Sequence, residues 1–173
     1  MTRHPSRYLP LLLLLAPVAQ ATPLALSEGG GSYFSIGPLL SVTRGDGESK
    51  LGLGAEATFN VLSGDRDIRA MGAFAQAQAV GAEYARLAGG FQATWNFVGV
   101  ELGLMHQTAS RDHGPATGLH IAPYLTFVYG SVALRAGLPL IGPAGRHGPE
   151  VGLVFTLKLP FELDGANGPQ LLL

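Results

Sequence analysis

Between residues 32 and 161 the chain alternates with a period of two through eight successive segments, and one side of that alternation has no polar residue at any of its 40 positions. On this side the second segment reads Leu51, Leu53, Ala55, Ala57, Phe59, Val61, and the last reads Val151, Leu153, Phe155, Leu157, Leu159, Phe161. Successive side chains of a strand point to opposite faces, whereas a helix would space its apolar residues three and four apart. The pattern predicts an all-β chain with strands at residues 32–43, 50–62, 69–80, 83–94, 97–108, 117–128, 131–138 and 150–161. Clusters of Gly, Pro, Asp and Asn separate them, as turns require.

The alternate face is mixed: Gly52, Gly54, Glu56, Thr58 and Asn60 in the second segment, with Tyr33, Phe74, Tyr84 and Tyr124 among its larger members. Eight two-faced strands can close in two ways. A soluble, lipocalin-like barrel would turn the apolar face inward and bind an apolar ligand; an antiparallel up-and-down transmembrane barrel would turn it outward to lipid. Composition favours the second. A water-facing surface carries roughly 25–35% charged residues, yet only 13% of this chain is charged, and away from the strand ends the mixed face holds only Glu56, Arg86, Glu101, Arg135 and Lys158. The mixed face therefore belongs inside, where glycine suits the narrow interior of an eight-stranded barrel.

Charges inside such a barrel are costly unless paired. The five are expected to form a salt-bridge network that plugs the lumen, with Arg86 meeting Glu101 and Arg135 meeting Glu56. A narrow channel with these residues at its constriction is the alternative. Nine aromatic residues, Tyr33, Phe34, Phe59, Phe91, Trp95, Phe97, Phe127, Tyr129 and Phe161, fall towards the end of the barrel where the chain enters. They are expected to form a girdle at the lipid headgroups.

Ahead of the strands, Arg3 and Arg7 precede an apolar stretch at residues 9–18 and the small-residue site Ala19-Gln20-Ala21. This is the layout of a cleavable secretory signal over residues 1–21, with cleavage near Ala21. The apolar stretch is half the length that a spanning helix needs. The barrel domain then covers residues 22–161, and residues 162–173, rich in Asp, Gly, Asn and Pro, read as a flexible tail.

The chain has no Cys, which excludes a disulfide scaffold and thiolate metal sites, and its net charge of −1 argues against nucleic acid. His106, His113, His120 and His147 show no ligand spacing, so no metal or cofactor is expected, and the loop histidines His113 and His147 read as solvated. His106, Ser110 and Asp112 are the nearest approach to a nucleophile set, at a spacing that matches no hydrolase motif. A structural or surface-interaction role is expected rather than an enzyme.

The strand pattern over residues 32–161 resembles the small eight-stranded outer-membrane barrel proteins of the OmpX and OmpA transmembrane-domain type. The segment ending on Phe161 looks like the C-terminal targeting strand of that class, which finishes on an aromatic residue. The resemblance implies a monomer in the bacterial outer membrane, in contact with its lipid and delivered by the barrel-insertion machinery. Some members of the class modify lipid A, which is the further alternative for function.

Overall fold

A computed structural model describes residues 30–63, 69–127, 129–164 and 170–171; the expected signal segment and the join at residues 64–68 lie outside them. The described residues form ten strands and no helix: β1 Gly31–Gly45, β2 Glu48–Ser63, β3 Arg69–Val80, β4 Tyr84–Trp95, β5 Val98–Gln107, β6 Ala116–Phe127, β7 Gly130–Ile141, β8 Glu150–Leu157, β9 Leu159–Glu162 and β10 Gln170–Leu171. Consecutive strands from β1 to β8 pair antiparallel, and β8 returns to pair with β1, which closes an eight-stranded barrel. Closure leaves none of the eight with an open edge.

The barrel is strongly sheared. Cross-strand partners followed around the wall run from Phe34 through Phe59, Ala73, Phe91, Leu102, Ile121, Ala136 and Val151 to Arg44, ten residues further along β1 than the start. With strands ~4.8 Å apart and a rise of ~3.3 Å per residue, that stagger tilts them about 40° from the barrel axis.

The expected final strand is interrupted once. β9 continues the register of β8 on β1, with Leu39 opposite Thr156 and Ile36 opposite Leu159, and the pairing lapses only across Gly37 and Pro38. Proline has no N–H to donate to a ladder. The expected flexible tail also proves partly paired, since Gln170 and Leu171 lie opposite Glu162 and Phe161.

Connections differ between the two rims. At the rim opposite the termini, Asp46 and Gly47 turn β1 into β2 with φ of 51° and 83°, the paired positive angles that a two-residue hairpin demands and that Asp-Gly supplies. Gly81, Ala82 and Glu83 join β3 to β4, so Glu83, expected to open a strand, lies in a turn. There Lys50 Nζ is 2.6 Å from its carboxylate and holds it below the usual range. Longer connections follow β5 and β7 at the same rim.

Orientation of the faces is unambiguous. None of the 40 alternating apolar positions is buried; Leu53 is 61% exposed, Leu125 49% and Leu157 67%. Among the described residues 29 large apolar side chains are exposed. The buried apolar groups inside the barrel are few, chiefly Leu39, Ala122, Tyr124, Ala133 and Val154 in one cluster and Phe74, Ala88 and Met105 in another.

Of the nine aromatics expected in a girdle, Phe59, Phe91, Trp95 and Phe127 are exposed on the outer wall, Phe97 is exposed in the turn between β4 and β5, and Phe34 and Phe161 pack together on the wall with ring centroids 6.5 Å apart. Phe34 lies opposite Phe59 on one side and Phe161 on the other, so these three form a continuous row. Tyr129 is half-buried. Tyr33 is a correction: it is 5% exposed and belongs to the lumen, because it shares the parity of Ser35 and Ser41 and not that of Phe34.

Candidate functional site

The barrel interior holds a continuous polar chain running the length of β8, from Glu150 at its start to Lys158 just past its end. At the loop rim, Arg86 Nε donates to Glu150 Oε1 at 2.5 Å, and Gln107 Nε2 donates to Glu150 Oε2 at 2.9 Å. Arg135 approaches the same carboxylate, with Nε 3.9 Å from Oε1, while its Nη2 donates to Thr43 Oγ1 at 2.6 Å.

His120 carries the chain downward. Its Nδ1 is 3.0 Å from Arg86 Nη2 and its Nε2 is 3.0 Å from Glu101 Oε2. A guanidinium can only donate, so Nδ1 accepts and the ring proton on Nε2 is given to Glu101. The neutral ring thus spends both nitrogens, and it packs on Phe74 at 5.0 Å. Below it, Gln76 Nε2 lies 3.0 Å from both Glu101 Oε2 and Glu56 Oε2, and Glu56 ends the chain in an ion pair with Lys158.

All five lumen charges expected from the sequence therefore join one network, but with different partners. Arg86 does not pair directly with Glu101. It lies opposite Gln107 on β5, six residues nearer the loop rim than Glu101, and the imidazole spans the interval. Arg135 does not meet Glu56 either. Arg135 lies opposite Gly152, which lies opposite Thr43, whereas Glu56 lies opposite Gly37, six residues further down β1. The tilt of the strands separates residues that stand at similar positions within their own strands.

Besides the amides Gln76 and Gln107, the network holds two titratable members beyond the expected five. Glu150 shares the parity of Gly152, Thr156 and Lys158 and stands at the very start of its strand, outside the interior positions that the alternation singles out. A lumen of three cations and two anions called for one more anion, and Glu150 supplies it. His120, which shows no ligand spacing in the sequence, is the central link because its partners come from β4 and β5.

Two glycines make room for these contacts. A Cβ on Gly137 would stand 2.7 Å from Glu150 Cγ and 2.7 Å from Met105 Sδ, and one on Gly37 would collide with the backbone carbonyl of Leu157, next to Lys158. Gly137→Ala is expected to push on the Glu150 arm and to cost about 1–3 kcal/mol, the usual penalty for overpacking, read as a lower urea midpoint for unfolding in detergent. His120→Phe keeps the ring against Phe74 but leaves Arg86 and Glu101 each one partner short. About 2 kcal/mol of stability should be lost in the same measurement.

The loop-rim part of this chain is shut off from solvent. Arg86 is 0% exposed, and Arg135 and His120 are each 1%. His147 helps to cover the loop-rim mouth. Expected to be a solvated loop residue, it is 3% exposed, with its ring 4.4 Å from that of Tyr84. A small crevice between Tyr84, Gln107, His147 and Glu150 opens there.

The nucleophile candidates go separate ways. His106 Nδ1 bonds Thr117 Oγ1 at 2.9 Å on the outer wall, and the Ser110 hydroxyl accepts from the His113 N–H at 3.2 Å. Comparisons with protein families, curated proteins and solved structures found no match for this chain.

Proposed function

We propose that the protein is an integral outer-membrane β-barrel with a plugged lumen, serving a structural or surface-interaction role. One observation carries the reading: all 40 alternating apolar positions lie on the outer wall and none is buried. Monomeric soluble proteins rarely expose a contiguous apolar patch above a few hundred Å². Here such side chains occur on all eight strands of the wall. At a tilt of about 40°, the outer run from Leu51 to Val61 rises about 25 Å along the axis, the height of the apolar band of a membrane barrel. The Phe34, Phe59 and Phe161 row, with Trp95, Phe97 and Phe127, supplies an aromatic border at one edge of that band. A soluble barrel for an apolar ligand would need the reverse arrangement, whereas this interior carries three cations and three anions.

Membrane fractions washed with carbonate should retain the protein and release it only with detergent. Release without detergent would overturn the membrane assignment. In planar bilayers the folded protein should give no steady current, because Arg86, His120 and Arg135 fill the interior and are shut off from solvent. A stable, ion-selective conductance that Glu101→Ala changes without loss of folding would make the network a constriction. No catalytic role is proposed for His106, Ser110 or Asp112.

A further inference from the structure

Three side chains that the lumen network does not use converge at the loop rim: Asp46 in the β1–β2 turn, His113 between β5 and β6, and His147 between β7 and β8. Asp46 Oδ2 lies 3.8 Å from His113 Nε2 and 3.8 Å from His147 Nδ1, and one ligand atom from each of the three falls within 4.8 Å of the others. Tetrahedral zinc with ligands at ~2.0–2.1 Å sets neighbouring ligand atoms about 3.3 Å apart. Two edges of the triangle are already within about half an ångström of that.

The hydrogen bonds around the cluster leave these atoms to an ion. His147 Nε2 is 3.1 Å from the Thr108 carbonyl oxygen, which can only accept, so Nε2 carries the proton and Nδ1 of the neutral ring presents a lone pair. That lone pair belongs to a side chain only 3% exposed and faces a carboxylate oxygen at 3.8 Å, beyond hydrogen-bond range. Two electron-rich atoms held face to face in this way are stabilised by a cation between them.

The supporting contacts are of the kind that orient metal ligands. Gly148 N–H donates to Asp46 Oδ1 at 3.0 Å and leaves Oδ2 free for the cluster. The His113 and His147 rings stack with centroids 5.1 Å apart. Ser110 holds the His113 backbone through two hydrogen bonds, and Gly114 N–H donates to Gly145 O at 3.0 Å, tying the two longer connections together.

The geometry points to a divalent transition-metal site, suited to Zn²⁺, with Asp46, His113 and His147 as ligands and a fourth position open to water or an external donor. Two imidazoles and one carboxylate suit zinc, whereas Ca²⁺ and Mg²⁺ prefer oxygen donors throughout. Because each ligand comes from a different connection, the ion would staple the loops over the mouth of the barrel. The site stands on the connections alone and holds whether lipid or water surrounds the wall.

The test uses the full chain without a histidine tag, folded in detergent micelles and titrated calorimetrically with ZnCl₂, MgCl₂ and CaCl₂. One zinc per chain is expected, with no response to the other two ions. Asp46→Asn and His113→Ala, both outside the barrel wall, should keep the β-sheet circular dichroism and bind zinc at least about tenfold more weakly. His106→Ala, outside the cluster, should bind as the parent does. Zinc should also slow tryptic cleavage at Arg111 and Arg146 in the parent and not in His113→Ala. Absent zinc binding, or binding that Asp46→Asn and His113→Ala leave unchanged, overturns the site; binding that leaves cleavage unaltered overturns the staple.

Discussion

Replacing Arg86 by methionine is expected to be the most damaging single change in the lumen. It removes the 2.5 Å partner of Glu150 and the donor to His120 Nδ1 together, and both remaining groups are nearly inaccessible to water. Removing one partner of a buried ion pair typically costs about 3–5 kcal/mol, because the other charge is left uncompensated. Urea unfolding followed by the fluorescence of Trp95, the single tryptophan, should show that loss. Arg135→Met should cost less, since Arg135 stands 3.9 Å from Glu150 and its Nε and Nη1 have no hydrogen-bond partner to lose. The double change Arg86→Met with Glu150→Gln should recover much of the stability, because it removes both charges. If Arg86→Met unfolds at the parent urea concentration, the network contributes nothing to holding the barrel.

Leu102→Arg tests the outer wall in the same way. Leu102 is 52% exposed and lies half-way along the apolar run of β5, between Val100 and Leu104. On a water-facing surface a new arginine at an exposed site would change stability by no more than about 0.5 kcal/mol. At the midplane of a bilayer it should cost about 2–4 kcal/mol. Urea unfolding of the barrel in lipid vesicles distinguishes the two. Arg111→Ala, in the β5–β6 connection, is the matched control and should change little. A neutral Leu102→Arg in vesicles would remove lipid from the description of the outer wall.

The period-two alternation made the barrel wall legible before any coordinate was known. A strand has no choice about which side its alternate residues face, so Leu51 to Val61 and Val151 to Phe161 had to share one surface with their counterparts on the other strands. The five lumen charges followed from the same parity. Tyr33 leaves the expected girdle because parity, and not position near a rim, decides which face a strand residue takes.

Pairing inside the lumen was not legible, because it depends on the stagger between strands and on what projects across the barrel. Shifting one strand by two residues keeps every side chain on its own face and changes every partner. The ten-residue stagger decides that Arg86 meets Glu150 and not Glu101, and that His120 falls between them. The gathering of Asp46, His113 and His147 was hidden for a related reason. Their ligand atoms come from three connections separated by whole strands, so no spacing in the chain announces them. Local alternation, a property of each strand alone, determined which residues face in and which face out; closure of the sheet decided which of them touch, because only closure sets the distance between residues remote in sequence.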